Sequence, residues 1–552
     1  MRPHWLSGGL WRRVTRISPR CVIHTALNPV YSTRLYRRSL DRAVPSGQFV
    51  PPKLDRWPGD AGRGATIMDG DFELAGKTLL ETNTPWRAND ASPRWRSRAS
   101  RFDWLCDLQA LGGHSARERA RQLVLRWIET DGSWNATSWR PEALGGRVAN
   151  WIGYAGFLLS GAEEDFREGF VASLHRQARH LARVAGNAPP GAGAVLVLKG
   201  LILADLALFG GGRREKLALR LDRELATQLL ADGGTQERNP SRHLALLRDL
   251  IDIRAAYASS GHKPSATLQN AIDKMTPMLR FFRHGDGMLA LFNGSIEEED
   301  WLIDVVLERA DARGKPLSSA PYSGFERLTV NRALLLLDSG KTPPPGSDLD
   351  AHAGALSFEF SVGKERMIVN CGAHMGDSTD WRIAQRTTAA HSTVSVENIN
   401  SAEIISSGGF GNRPEILSVE RQERDGEIWL DAEHDGYRST FGLIHRRRLH
   451  LNGAGTALRG EDTLSGKSGR KFAARFHLHP GVRASLVQDG HAVLLRLPGG
   501  EGWRFRAQGG VIALQESVYL GAGDRIKRSQ QIVVSAATTE GETAIKWMFA
   551  RI

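Results

Sequence analysis

The chain has 552 residues, of which 41% are hydrophobic and 24% are charged. These fractions are ordinary for a globular protein, and the length is long for one domain but suits two. The three cysteines, Cys21, Cys106 and Cys371, lie far apart in the sequence. This excludes a disulfide framework or a CxxC metal pair and is compatible with a reducing compartment.

The formal net charge of +12 is concentrated at the N-terminus. Residues 1–56 hold eleven Arg or Lys and two Asp, a net charge of +9. Such a segment is either a basic arm that binds nucleic acid, acidic lipid or acidic polysaccharide, or a solvated leader. We predict a basic, poorly ordered arm over 1–56. No recognition motif accompanies the charge, so no specific nucleic-acid partner is expected.

Helical periodicity dominates from about residue 102 to residue 337. Apolar residues recur at helical spacing over 116–129, 214–231 and 242–259, and Gly-rich breaks separate the segments. This pattern predicts an array of helix hairpins. The apolar run over 192–209 contains one Lys and one Asp, so we predict a buried helix rather than a transmembrane segment.

Three consecutive prolines in the segment 339–349 (SGKTPPPGSDL) predict a linker, because proline cannot continue a helix. Beyond it the hydrophobic period changes to two, in short segments separated by Gly, Asn and Asp, which predicts an antiparallel β-sandwich. The predicted order is a helical domain over 57–338, the linker, and a β-domain over 350–552.

Three histidines follow predicted strand ends, at His352, His374 and His391. Imidazole is a common acid or base at neutral pH and a common metal ligand. Spacing alone favours three separate, hydrogen-bonded histidines over one shared site.

Asn239 followed by Pro240 predicts a helix start, with Asn as the cap and Pro in the first position. A helix N-terminus favours an anion such as a uronate carboxylate. The neighbouring residues are charged or titratable: Glu237, Arg238, Arg242 and His243.

Three further segments hold candidate ligand-binding residues. Arg147, Asn150 and Trp151 fall on nearly one face of a predicted helix, which is also compatible with ordinary packing. Asn293 and Tyr322 lie in predicted turns over 284–294 and 319–328.

Taken together, the motifs resemble the heparinase II/III-like family of polysaccharide lyases. The resemblance extends from about residue 71 to the C-terminus and rests on ordered motifs: GRVANWI, DGGTQERNPSRH, HAGALSFEF, VNCG, TTAAHSTV and RFHLHP. It implies a multidomain fold, an incomplete N-terminal α/α toroid followed by a C-terminal antiparallel β-sandwich. It also implies cleavage of a uronate-containing acidic polysaccharide by β-elimination and a periplasmic or cell-envelope location. The first thirty residues show no secretory signal, so the sequence by itself indicates the cytoplasm.

The lyase hypothesis also assigns roles to residues, among them Tyr322, which no family motif places. The catalytic group would comprise His243 and Tyr322 for proton transfer, Arg242 and Asn239 at the carboxylate, and Asp350. The substrate-binding residues would be Arg147, Asn150, Trp151, Glu237, Asn293 and His374. No cofactor is required for the reaction, but a structural zinc or other divalent metal on His352 and His391 is implied by some members.

Several positions depart from the family pattern. Asp350 replaces a histidine that is implicated in catalysis, Gly354 and Asn370 replace acidic residues, and Arg242 replaces a tyrosine. These departures keep open a second hypothesis, a non-catalytic or diverged acidic-polysaccharide-binding protein on a lyase scaffold. A third hypothesis makes the basic arm primary, for nucleic acid or a membrane surface.

Overall fold

The computed structural model describes most of the chain, with short gaps. The described residues are 27–41, 49–74, 77–80, 83–376, 378–405, 408–487, 489–523 and 525–552. Helices form the N-terminal half and two large antiparallel sheets form the C-terminal half. This is an incomplete α/α toroid followed by an antiparallel β-sandwich.

The helices of the N-terminal half range from 5 to 21 residues. Those for which the described residues give both ends include α1 (Arg34–Leu40), α2 (Ala61–Met68), α3 (Pro93–Ala99), α4 (Leu105–Leu111), α5 (Gly113–Asp131), α6 (Pro141–Gly153), α7 (Ala155–Leu159), α8 (Glu164–Val184), α9 (Ala192–Phe209), α10 (Arg214–Gln228), α11 (Pro240–Ser259), α12 (Ala266–Phe281) and α13 (Asp300–Ala310). A short hairpin joins β1 (Phe72–Leu74) to β2 (Lys77–Leu79). The helices predicted over 116–129, 214–231 and 242–259 are confirmed as α5, α10 and α11.

Helix α9 lies at the centre of the helical domain. It packs against α6, α8, α10 and α11. A side chain at Gly200 would come within 2.6 Å of the Gly145 carbonyl oxygen, so glycine at this position lets α9 and α6 approach closely. Among the described residues α9 is the one helix long and apolar enough to cross a membrane, and 89% of its apolar window is buried inside the protein.

The strands of the C-terminal half form two sheets. They are β3 (Ser319–Ala320), β4 (Phe325–Val330), β5 (Ala333–Asp338), β6 (Phe358–Val362), β7 (Glu365–Val369), β8 (Val394–Val396), β9 (Ile416–Arg424), β10 (Glu427–His434), β11 (Leu443–Leu451), β12 (Ala457–Gly466), β13 (Lys471–Leu478), β14 (Arg483–Val487), β15 (Ala492–Arg496), β16 (Gly502–Gln508), β17 (Val511–Tyr519), β18 (Lys527–Ala537) and β19 (Gly541–Arg551). Two short helices, α14 (Thr379–Ala384) and α15 (Arg438–Phe441), interrupt them.

Within the described residues, the first sheet has nine strands in the order β17-β18-β13-β7-β6-β5-β4-β3, with β8 paired to β13. The second has eight, in the order β14-β15-β16-β19-β12-β11-β10-β9. Their inner faces share one apolar core, in which Phe358 of β6 stacks on Trp547 of β19 with ring centroids 5.6 Å apart. Alternate inward side chains from two antiparallel sheets are what makes this a sandwich.

The predicted boundary at the Pro-rich linker is displaced. Strands β3, β4 and β5 precede the linker and form one end of the nine-stranded sheet, so the sheet begins near residue 319 rather than at 350. All six residues of β5 are buried, which removes the alternation that marks a half-exposed strand. A continuous leucine run of this kind is indistinguishable by period from a helix.

The prediction of a poorly ordered arm is wrong for its described part. Within residues 27–41 the Tyr36 hydroxyl lies 2.6 Å from His180 Nδ1, and Arg176 pairs with Asp41 at 2.6 Å. Farther along, the Val50 N–H donates to the Ala207 carbonyl of α9. Several of the basic residues thus lie on a segment packed against the helical domain. Residues 1–26 and 42–48 lie outside the described part of the chain.

Candidate functional site

A cavity of ≈460 Å³ lies between the helical domain and the loops of the β-sandwich. Its wall is rich in charged side chains: Arg94, Arg140, Glu142, Glu237, Arg242, Asp350, Arg382 and Arg386. Five arginines face three carboxylates, a formal net charge of +2. We call this cavity the interdomain cleft.

Asp350 is the centre of the charge in the interdomain cleft. Its carboxylate lies 3.3 Å from both Arg242 Nη2 and Arg382 Nη2, and 3.9 Å from Arg94 Nη2. Its side chain is 43% accessible to solvent. Burial acts to raise its pKa, but Arg242, Arg94 and Arg382 outweigh burial, and the pKa of Asp350 is lowered. Asp350 therefore carries its charge at neutral pH.

Glu237 has the opposite behaviour. Burial, assisted by the negative charges of Asp350 and Glu142, raises its pKa from 4.5 to about 7, despite the opposing effect of Arg242. Its carboxylate also accepts a hydrogen bond from the Ala192 N–H at the start of α9. Glu237 is thus poised to gain or lose a proton near neutral pH.

Glycines at the start of α9 make room for the acidic side chains. A Cβ atom on Gly191 would lie 2.6 Å from Glu237 Oε1, and one on Gly193 would lie 2.7 Å from Glu142 Oε1. Both carboxylates therefore approach the N-terminal end of α9, where backbone N–H groups favour negative charge.

The start of α11 is held in place by side-chain hydrogen bonds. The Asn239 Oδ1 atom accepts from the Arg242 N–H at 3.0 Å, and Asn239 Nδ2 donates to the Asn293 carbonyl at 2.7 Å. The predicted Asn cap and Pro start are confirmed. Asn293 has a φ of +50°, and its Oδ1 accepts from the His352 N–H at 3.3 Å, which joins this helix start to the β-domain.

Arg238 fastens the same helix start to the nine-stranded sheet. Its buried guanidinium donates to the carbonyls of Ser323 at 2.6 Å and Lys341 at 2.8 Å, and it pairs with Asp338. These contacts fix the direction in which Arg242, four residues along, enters the interdomain cleft.

His352 and His391 form a buried pair beside the interdomain cleft. His352 Nδ1 lies 3.0 Å from His391 Nε2, and His391 Nδ1 lies 2.8 Å from the Thr387 carbonyl. The carbonyl requires an N–H on His391 Nδ1, so His391 Nε2 accepts and His352 Nδ1 donates. Burial lowers the pKa of His391 to about 4 and that of His352 well below its ordinary value, so both rings are neutral.

These residues do not fit a tetrahedral zinc. The two ring nitrogens that face each other are used in one hydrogen bond, and Asn370 Oδ1 accepts from the Ser392 N–H at 3.0 Å. In the described part of the chain no group of three or more His, Cys, Asp or Glu residues is placed to hold an ion. Zinc sites of this kind require four such ligands.

The predicted ligand-binding residues of α6 lie elsewhere. Arg147 is fully buried, donates to Gln177 Oε1 at 2.7 Å and to two backbone carbonyls, and covers the Trp127 ring at 3.9 Å. Burial lowers its pKa to about 9. Trp151 is buried in the aromatic core, and Asn150 donates to Asp103 Oδ1 at 2.8 Å. The structure corrects their assignment, because this face of the helix is a packing face.

The predicted proton-transfer pair is not in the interdomain cleft either. His243 is fully buried, with Nε2 2.8 Å from the Met275 carbonyl, and burial lowers its pKa to about 4. Tyr322 is 69% exposed and does not line the cleft. His374 packs against Trp381, outside the cleft wall. On α11, Arg242 faces the cleft, but the next residue along the helix points into the core.

The structure therefore brings together Glu237, Asn239, Arg242, Asn293 and Asp350 from the predicted set. Sequence reasoning missed five charged residues of the wall: Arg94, Arg140, Glu142, Arg382 and Arg386. They sit at helix starts and in loops that are far apart in sequence. The sequence did contain a signal for two of them. Arg94 follows Pro93 and Arg140 precedes Pro141, and each proline marks a helix start.

Comparison with known proteins agrees with this architecture. Residues 312–548 match the family model described as "Heparinase II/III-like, C-terminal". The chain is 34% identical over 532 residues to FtsZ-localized protein C of Caulobacter vibrioides (strain NA1000 / CB15N), covering 92% of this chain and 91% of that protein. The family model begins near β3, in agreement with the displaced domain boundary.

Two solved structures share the fold over nearly the whole chain. A crystal structure of heparinase III has a TM-score of 0.72 at 14% identity and covers 96% of this chain and 89% of its own. A heparan sulfate lyase HepC mutant from Pedobacter heparinus has a TM-score of 0.61 at 16% identity and covers 97% and 91%. The family match, the full-length relative and these folds agree, and the chain belongs to the heparinase II/III-like family.

Proposed function

We propose that the interdomain cleft binds an acidic glycan, such as a uronate-bearing oligosaccharide, on a scaffold derived from a polysaccharide lyase. The observation that carries this proposal is the wall of five arginines and three carboxylates. Clefts lined by an excess of one charge concentrate ligands of the opposite charge. Arginine also binds carboxylate and sulfate groups through two parallel hydrogen bonds.

The arginines have donors to spare. Within the described part of the chain, the guanidinium groups of Arg242 and Arg382 each make one hydrogen bond, to Asp350 at 3.3 Å. A guanidinium has five N–H donors. A ligand carboxylate placed between these two side chains would therefore meet unfilled donors, while Asp350 holds them in position.

Binding is tested by calorimetry with acidic oligosaccharides of several backbones and a neutral oligosaccharide of equal length. The double variant Arg242→Ala, Arg382→Ala loses two charge-assisted hydrogen bonds to the ligand. Each such bond contributes about 1.5 kcal/mol or more to the binding free energy, so the affinity is expected to fall by about 100-fold. A matched control replaces two arginines outside the cleft, Arg332→Ala and Arg551→Ala. Equal affinity for the neutral oligosaccharide, or unchanged affinity in the double variant, would overturn the proposal.

A second candidate is cleavage of the same ligand by β-elimination. It is favoured by Glu237, a carboxyl group in the cleft with a pKa of about 7. In this mechanism Arg242 neutralises the uronate carboxylate, which makes the C5 proton more acidic. Glu237 takes that proton and, now protonated, passes it to the leaving oxygen as the C4–O bond breaks, which leaves a C4–C5 double bond and restores the Glu237 carboxylate. His243 and Tyr322 take no part.

The unsaturated product absorbs ultraviolet light, so a glycan panel with absorbance detection tests cleavage. Glu237→Gln is expected to abolish cleavage while binding persists, because the amide cannot act as a base. If the absorbance rises as fast with the Glu237→Gln variant as with wild type, Glu237 is not the base. If the wild-type protein binds the glycan without any change in absorbance, the lyase activity is contradicted and the binding function stands.

We also propose that the protein localises with FtsZ. The support is the 34% identity, over almost the whole of both chains, to a protein named for that localisation. A fluorescent fusion should colocalise with FtsZ and disperse when FtsZ is depleted. A fusion that remains uniformly distributed in both conditions would contradict this part of the proposal.

A further inference from the structure

A second cavity, of ≈510 Å³, lies on the outer face of the eight-stranded sheet. It shares no lining residue with the interdomain cleft. Its floor includes one transverse row of residues, paired strand to strand: Trp429, His450, Arg459, Met548 and Arg506. Four steps between neighbouring strands give the row a length of about 19 Å, which suits a short oligosaccharide.

Trp429 supplies an aromatic surface at one end of this row. It is 48% exposed, and its ring stacks on His450 with centroids 3.7 Å apart and an interplanar angle of 16°. His450 Nε2 lies 3.0 Å from Glu427 Oε2. The stack and the hydrogen bond fix the indole ring, so little conformational entropy is lost when a ligand packs on it.

Two adjacent rows on this face of the sheet differ in whether their charged side chains form ion pairs. In the neighbouring row Arg448 lies 3.2 Å from Asp431 and 3.4 Å from Glu461, and Lys546 lies 3.4 Å from Glu461. In the row of Trp429, by contrast, Arg459 and Arg506 are exposed and form no ion pair within the described residues. Two uncompensated guanidinium groups in the same row as a fixed aromatic ring, two and four strands away from it, form a site for an extended anionic ligand with an apolar face.

We propose that this row is a second binding site for an acidic saccharide, with Trp429 packing on the C–H face of one sugar ring and Arg459 and Arg506 binding carboxylate or sulfate groups of the following sugars. A saccharide fits better than a protein partner, because one exposed aromatic ring among charged residues is not the contiguous apolar patch of a protein interface. The site takes the same ligand class as the interdomain cleft, but its existence does not depend on binding there.

The inference is tested by calorimetry with a heparan sulfate tetrasaccharide. Wild-type protein is expected to bind two molecules, and both Trp429→Ala and the double variant Arg459→Ala, Arg506→Ala are expected to bind one. The matched control is Trp301→Ala, which removes another partly exposed tryptophan, 38% accessible, from α13. It should leave the stoichiometry at two.

The two sites are separated with the cleft variant Arg242→Ala, Arg382→Ala. That variant should retain one tetrasaccharide, whose affinity falls at least tenfold when Trp429→Ala is added. If the cleft variant binds none while wild type binds one, the second site is overturned and the cleft proposal stands. If an acidic peptide such as a glutamate octamer binds at Trp429 but the tetrasaccharide does not, the saccharide assignment is overturned.

Discussion

Protonation of Glu237 is expected to couple the stability of the protein to pH near neutrality. Glu237 lies against the start of α9, beside Glu142 and Asp350, and burial raises its pKa to about 7. Replacing it in Glu237→Gln mimics the protonated form and keeps an oxygen that accepts from the Ala192 N–H. The substitution therefore removes the charge without removing the hydrogen bond.

The magnitude follows from the pKa. The shift from 4.5 to about 7 corresponds to an upper limit of about 3 kcal/mol, at about 1.4 kcal/mol per pKa unit. Glu237 is partly exposed, so solvent screening reduces our expectation to about 1–2 kcal/mol. The folded state holds the proton between pH 4.5 and 7 and the unfolded state does not. This contribution to stability is complete below pH 4.5 and is lost as the pH rises through about 7.

Urea unfolding at pH values from 4.5 to 8.5 measures this effect. The free energy of unfolding of Glu237→Gln, relative to wild type, should increase over this range and become constant above about pH 7.5. The control Glu542→Gln removes an exposed carboxylate of β19, far from the interdomain cleft, and should track the wild type. Parallel curves for Glu237→Gln and wild type across the whole range would refute the assignment of a titrating Glu237.

Three further outcomes are expected. Arg238→Met leaves the buried Asp338 carboxylate without its cation and should lower the free energy of unfolding, measured by urea denaturation, by about 3–5 kcal/mol. The control Arg332→Met breaks an exposed ion pair and should lower it by less than about 1 kcal/mol. Arg147→Met should destabilise the helical domain in the same assay but change the affinity for acidic glycan less than about twofold, because Arg147 contacts only groups in the core. A large loss of affinity in the folded variant would show that Arg147 does belong to the binding site. Dialysis against a chelator should leave the thermal midpoint unchanged, since His352 and His391 hydrogen-bond each other; a stoichiometric zinc signal by mass spectrometry would contradict this.

The local elements were largely predictable. Asn239 and Pro240 start α11 as their side-chain chemistry requires, and the period-two segments beyond the Pro-rich linker are strands. The exceptions have a physical reason. Strand β5 is buried on both faces and so loses its alternation, and the part of the basic arm over 27–41 is ordered by contacts with α8, which no local pattern encodes.

The site was less predictable, because neighbouring residues of one motif have different environments. Arg242 and His243 are adjacent in sequence, yet one lines the interdomain cleft and the other is buried against Met275. A helix turns by about 100° per residue, so a motif at a helix start necessarily divides between cleft and core. Which member enters the cleft depends on the direction of the helix, which Arg238 fixes through the sheet.

The sequence by itself determined the family, the order of the two domains and the capped helix start at Asn239, since each depends on residues close together in the chain. Only the tertiary structure decided the composition of the cleft, because its arginines come from α3, the start of α6, α11, α14 and the loop that follows α14. Their proximity depends on long-range packing of the two domains. It also decided the protonation of the site, because the pKa of Glu237 depends on burial and on Asp350, more than a hundred residues away. Pattern and spacing report local geometry, whereas charge and burial are properties of the assembled fold.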